Sequence, residues 1–245
     1  MKKKRSFCYK VAHLVLSIFY KKRQFIGLEN LTDQPHIIVG NHAQVHGPLV
    51  SEVQMPLKRK TWCISNVMNA KDFAQHAKVD FWPFKPKWCR WFYNMLAHII
   101  APIGASIFNS CEVIPVYHDG RLMGTFKSTI KELEQGNNIV IFPECYTPHN
   151  NIVNDFQDKF VDVARLYYKK YGKCLSFVPM YNAVRLKKVL FGAPIAYNPD
   201  ITIEENRKVI IDYLKQEITN LALSLPPHEV VQYANKGRKN NPMSK

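Results

Sequence analysis

The sequence predicts an α/β fold, a single domain with a largely parallel central sheet flanked by helices. Three observations carry that prediction. Short, mainly apolar runs recur at residues 37–39, 139–142, 175–181 and 189–195, the first of them wholly β-branched, each of buried-strand length. Stretches with apolar residues at helical spacing separate them, and strands alternating with helices imply parallel pairing. At 245 residues, the chain is also long enough to bury a core without disulfides or a metal.

The elements follow in order. Residues 6–22 read as a helix with Phe7, Val11, Leu14, Val15, Ile18 and Phe19 on one side and lysines at both ends. That pattern suits a helix lying in a membrane interface, and an N-terminal helix docked on the domain would share it. The turn at 27–31 leads to the first strand, 37–39, which Gly40, Asn41 and His42 break. Pro48 suits the first turn of a helix, so residues 48–56 are expected to be helical, with Gly47 as the cap and a strand at 61–65. Residues 94–108 form an apolar helix interrupted by Pro102 and Gly104, read as buried or interfacial. A strand at 113–117 precedes a helix at 122–135 closed by Gly136. Residues 154–171 read as an amphipathic helix ending at Gly172, and 203–225 as one with Ile210, Leu214, Ile218, Leu221 and Leu225 at core spacing. The expected organisation is a basic amphipathic helix over 1–24, a domain over 25–230 and a disordered basic tail over 231–245.

Charge narrows the partners. The formal net charge is +15, and the first 28 residues hold Lys2, Lys3, Lys4, Arg5, Lys10, Lys21, Lys22 and Arg23 with no acid. Lys236, Arg238, Lys239 and Lys245 repeat the theme in the tail. Basic ends favour a polyanion, an anionic membrane surface or nucleic acid. Residues 81–93 interleave Phe81, Trp82, Phe84, Trp88, Trp91, Phe92 and Tyr93 with Lys85, Lys87 and Arg90. Such a mixture suits a lipid headgroup layer, a base-stacking surface or plain core packing. Nucleic acid rests on charge and aromatics alone and is disfavoured. No stretch reaches the roughly 20 apolar residues of a spanning helix. Lys21-Lys22-Arg23 stands where a signal peptide would carry its small cleavage residues. Six scattered cysteines lack metal-ligand spacing, so reduced thiols in a cytosolic setting are expected and no metal site.

Four segments hold the chemistry: Gly40-Asn41-His42, Ile114 to Arg121, Ile139-Val140-Ile141-Phe142-Pro143-Glu144, and Phe177-Val178-Pro179-Met180. A strand delivers Asn41 and His42 to its C-terminal end, the edge where open α/β sheets bind ligands. Alone, such a histidine is more often structural than catalytic. The order of the four segments, with residues 27–31 upstream, resembles the glycerolipid acyltransferase family, which includes the 1-acyl-glycerol-3-phosphate acyltransferases. It covers residues 25 to 197. The resemblance implies the family fold, His42 as general base on an acceptor hydroxyl, Glu144 helping to hold the acceptor, and Pro179 shaping a strand end. Asn41, His46, His118, Arg121, Phe142 and Pro143 fall in the expected substrate-binding segments.

The departures are specific. Gly47 occupies the place of the aspartate that orients the histidine, His118 that of a phosphate-binding arginine with Arg121 three residues on, and Cys145 that of a glycine. His46, Asp119, Asp155 and Glu144 are candidates to replace the aspartate. Asp155, Asp158 and Asp162 otherwise read as a solvated helix face. The expected protein is an acyltransferase with acyl-CoA or acyl-carrier protein as co-substrate and no cofactor, and a lysophospholipid or glycerol-phosphate-type acceptor. It would be peripheral on the cytoplasmic face of a membrane. The alternative is a catalytically impaired relative that binds lipid.

Overall fold

The structure, a computed structural model, describes residues 5–76, 87–117, 119–233 and 241–245. In chain order the elements are α1 (Phe7–Phe19), β1 (Gln24–Ile26), β2 (Ile37–Gly40), α2 (His46–Val53), β3 (Arg59–Ile64), α3 (Ala70–His76) and α4 (Arg90–Phe108). There follow β4 (Val113–Val116), α5 (Leu122–Glu134), β5 (Asn138–Ile141), β6 (Glu144–Pro148), β7 (Asn154–Phe156) and α6 (Asp162–Tyr171). The chain closes with β8 (Ser176–Ala183), β9 (Lys188–Phe191), β10 (Ile195–Ala196) and α7 (Ile203–Leu223). It divides into two compact units, residues 1–21 with 62–125 and residues 22–61 with 126–245.

The second unit is built on the strand order β1-β9-β8-β2-β5-β3, with β10 on β8. The pairs β1–β9, β8–β2, β2–β5 and β5–β3 are parallel, and β8–β9 and β8–β10 antiparallel. The predicted α/β class with a largely parallel sheet is therefore what the chain forms. Ile37, Ile38 and Val39 are fully buried, as expected of a parallel strand covered on both faces. Helix α7 packs on β8 through the predicted Ile210, Leu214 and Ile218. Its start is tied by a reciprocal cap between Thr202 and Glu205. Gly136 and Gly172 take left-handed φ of 74° and 66° just past α5 and α6, as the helix stops required.

In the first unit, α4 packs on α3, with Val67, Phe73, Ala74, Ala97 and Ala101 as its core. Pro102 and Gly104 do not interrupt the helix; they lie within it. The ring of Phe73 fills the space a Cβ on Gly104 would need. At 19 residues, α4 is by length and composition long and apolar enough to cross a membrane, which the sequence reading did not anticipate. Helix α1 is capped by Ser6, whose Oγ accepts from Tyr9 N at 3.2 Å and donates to Ser106 O at 3.3 Å. Tyr9 is buried, whereas Phe7, Leu14, Ile18 and Phe19 are 60–79% exposed. Trp88, Trp91 and Phe92 are also exposed, so these three aromatics do not serve core packing. Residues 81–86 of the aromatic stretch, and Lys2 to Lys4, lie outside the described residues.

Three further expectations need correcting. Helix α2 begins at His46 with Val45 at the cap position, so Gly47 lies inside the first turn and does not cap it. Residues 154–156 are not helical: they form β7, antiparallel to β6, because a buried Glu144 oxygen draws in the Asn154 N–H. The tail is not loose where it is described. Val230 N donates to Pro242 O at 2.8 Å and Ser244 N to His228 O at 2.9 Å. The basic residues Lys236, Arg238 and Lys239 lie outside the described residues.

Candidate active site

Strands β5, β2 and β8 are parallel neighbours, with Val39 opposite both Ile141 and Pro179. Their C-terminal ends therefore share one sheet edge, and the residues that follow each strand meet there. Asn41 is buried and bound to the end of β8. Its Oδ1 accepts from Asn182 N at 2.7 Å and its Nδ2 donates to Asn182 O at 3.5 Å. Both polar ends of this side chain thus serve to join two strand ends.

Glu144 follows β5 and is 4% exposed. Its Oε2 accepts from the His42 backbone N–H at 2.5 Å, and its Oε1 from Asn154 N at 3.0 Å. Burial pushes the carboxyl up to about 7, while the two amide hydrogen bonds pull the other way. Each oxygen accepts from one backbone amide, so Glu144 ties His42 to the β6–β7 hairpin.

The His42 ring makes a different bond. Its Nδ1 pairs with the backbone carbonyl of Gln44. A carbonyl only accepts, so Nδ1 carries the proton and the neutral ring presents Nε2 as a bare acceptor. Phe142 meets the ring edge-on at 5.5 Å and Tyr233 at 5.2 Å, and Tyr146 lies 5.1 Å from Tyr233. Burial lowers the pKa of His42 below its ordinary 6.5, and the Gln44 carbonyl opposes that fall.

The carbonyl reaches the ring through an unusual turn. Ala43 and Gln44 have φ of 48° and 56°, consecutive left-handed residues that cost about 1–3 kcal/mol each outside glycine. Two bonds hold the turn, Gly47 N to His42 O at 3.0 Å and His46 N to Ala43 O at 3.1 Å. Ala43 is buried with Val184 and Val231. These bonds also use the first N–H groups of α2, which therefore do not point at a ligand.

Gly47 is a steric requirement. A Cβ there would lie 2.7 Å from both His42 O and Phe142 Cε1, and 3.1 Å from Asn41 O. An aspartate at this position does not fit beside the His42 backbone as it stands. Gly47 leaves room for the turn that brings another acceptor to the ring.

The remaining predicted residues divide plainly. Pro143 is buried with its carbonyl accepting from Gln157 N at 2.9 Å, and Pro179 lies in β8 with its carbonyl accepting from Gly192 N at 2.9 Å. His46 opens α2; burial and the charges of Arg23 and Arg185 lower its pKa. His118 lies outside the described residues. Arg121 belongs to the first unit, where it sits 4.2 Å over Tyr117 and donates to both oxygens of Asp119. That guanidinium holds the Asp119 carboxyl at about 2. Asp155 accepts from Lys215 at 2.9 Å, and Asp162 pairs with Arg207 at 2.7 Å. Those two acids anchor α7 and are not a bare solvated face. No group of three metal-ligating side chains occurs among the described residues.

The chain is similar in fold to a 1-acyl-sn-glycerophosphate acyltransferase. That solved structure is the 1-acyl-sn-glycerophosphate (LPA) acyltransferase PlsC from Thermotoga maritima, at 15% identity, with 87% of this chain and 78% of that chain covered and a TM-score of 0.47. No family model and no curated protein matches the sequence. Two parts of the site escaped the sequence reading. The Gln44 contact comes from a backbone atom, which side-chain identity does not encode. Tyr233 comes from a tail segment far along the chain, with no motif around it.

Proposed function

We propose that the protein transfers a fatty acyl group from an acyl-CoA or acyl-carrier thioester to the hydroxyl of a lysophospholipid or glycerol-phosphate-type acceptor. The observation that carries this reading is the His42 ring, whose Nδ1 faces the Gln44 carbonyl; since a carbonyl only accepts, that pairing puts the proton on Nδ1 and leaves Nε2 to accept. Together with the motif resemblance at Asn41-His42 and Phe142-Pro143-Glu144, it supplies a neutral base at a strand end. Nε2 takes the acceptor's hydroxyl proton as the oxygen attacks the thioester carbonyl carbon. The tetrahedral intermediate then expels the thiolate, which recovers the proton. The lowered pKa of His42 keeps the base unprotonated at neutral pH.

The reading places the protein at the cytoplasmic surface of an anionic membrane. Its support is the exposed apolar side of α1, bordered by Lys10, Lys21 and Lys22. Ile99 and Ile103 of α4, 58% and 50% exposed, add apolar surface. A second reading, a lipid-binding relative with impaired catalysis, is favoured by one observation: a neutral carbonyl stabilises the imidazolium less than the family's carboxylate would.

The test is thiol release from acyl-CoA with lysophosphatidic acid present, comparing the natural protein with His42→Ala. Acceptor-dependent release that falls by about 10² or more in the variant supports the enzyme. No release from the natural protein across a panel of lysophospholipids, with both CoA and carrier-protein donors, rejects it in favour of the lipid-binding reading.

A further inference from the structure

We propose that the backbone carbonyl of Gln44 is the positioning group of His42, taking over the tautomer-setting task of the missing aspartate, and that Gly47 is the residue that makes this substitution sterically possible. The inference rests on the reading of His42 as a general base.

Four observations converge. The carbonyl is the hydrogen-bond partner of Nδ1, whereas the nearest motif carboxylate, Glu144, spends its oxygens on the His42 and Asn154 backbone amides. The carbonyl turns back two residues only because Ala43 and Gln44 are both left-handed. That conformation is disfavoured for residues with a Cβ and persists where surrounding structure over-determines it. Here the surroundings do so: His42 O and Ala43 O are taken by the N–H groups of Gly47 and His46, and the Ala43 methyl is enclosed by Val184 and Val231. Finally, a Cβ at 47 would collide with His42 O and Phe142, so a side-chain carboxylate from position 47 and this turn exclude one another.

The two solutions are chemically related but not equal. Either acceptor fixes Nδ1–H and leaves Nε2 to accept a proton. The carboxylate adds a negative charge that steadies the imidazolium formed during the reaction; the carbonyl offers a dipole. The device therefore sets orientation and tautomer at the expense of basicity. It depends on backbone conformation at 44 and not on the glutamine side chain.

The experiment is nitrogen-15 NMR of ring-labelled histidine in the full chain without substrate, with the His42 signals assigned by their loss in His42→Ala. The expected result at neutral pH is a neutral ring with the proton on Nδ1. Gln44→Gly, which tolerates the left-handed turn, keeps that tautomer. Gln44→Val, whose β-branched side chain opposes it, yields a mixture, and kcat falls by up to about 10² with KM little changed. An Nε2–H ring in the natural protein, or an unaltered tautomer in folded Gln44→Val, overturns the proposal. The readout separates the two claims. An Nδ1–H ring without any acyl transfer sustains the positioning and refutes the enzyme. Transfer with an Nε2–H ring does the reverse.

Discussion

Replacing Glu144 by glutamine tests the physical account of the site most directly. The carboxyl is buried, its pKa is raised from 4.5 to about 7, and among the described residues two backbone N–H groups donate to it. An unfolded chain releases this proton near 4.5, while the native protein holds it to about 7. Between those values the native state binds more protons than the unfolded one, so stability falls as pH rises across the window and is level above it. At about 1.4 kcal/mol per unit, the loss is ~3 kcal/mol. His36, His42 and His46, whose pKa values burial lowers from 6.5, act oppositely. Each adds stability as pH rises toward 6.5, because the unfolded ring is then the one losing protons. The informative quantity is therefore the difference between Glu144→Gln and the natural protein, measured by urea unfolding at a series of pH values. Glutamine resembles the protonated acid and does not titrate. The variant should gain about 3 kcal/mol on the natural protein from pH ~4.5 to ~7. A difference that stays constant across that window would show that the carboxyl does not carry the burial cost assigned to it.

Three other outcomes follow from the same geometry. Gly47→Ala should destabilise the protein by about 1–3 kcal/mol in urea unfolding, since its Cβ has no room, and Gly47→Asp should lower acyl transfer; an aspartate that raised it would contradict the steric argument. The rate kcat/KM should fall as pH drops through an apparent pKa below 6.5, the native value of His42. Glu144 on the backbone side of His42, Tyr233 on its ring and His46 in the same turn are the titratable groups around it. A limb above 6.5 that persists in Glu144→Gln, which removes the group at about 7, would mean that a carboxylate, not the carbonyl, faces the ring. Leu14→Glu combined with Ile18→Glu places two charges on the exposed side of α1 and should weaken sedimentation with anionic vesicles at least tenfold, given ~1.5–3 kcal/mol for each buried apolar side chain. Unchanged binding would remove α1 from the membrane surface.

Sequence alone determined the strands that build the site. Residues 37–39 and 139–142 are β-branched runs bounded by turn formers, and such local signals survive folding because a strand buried on both faces must be apolar throughout. The positions of His42 and Glu144 after those strands followed directly, as did the glycine stops after α5 and α6, where positive φ is a local demand. Residues 154–156 were misjudged because their apolar spacing continues that of α6, while a bond to Glu144 ten positions away decides their conformation. Only the tertiary structure decided what His42 leans on. The loss of an aspartate is visible as Gly47, but its replacement is a main-chain oxygen aimed by two left-handed residues that packing from Val184 and Val231 holds in place. Side-chain chemistry can be read from a sequence; the direction of a carbonyl is a property of the folded backbone.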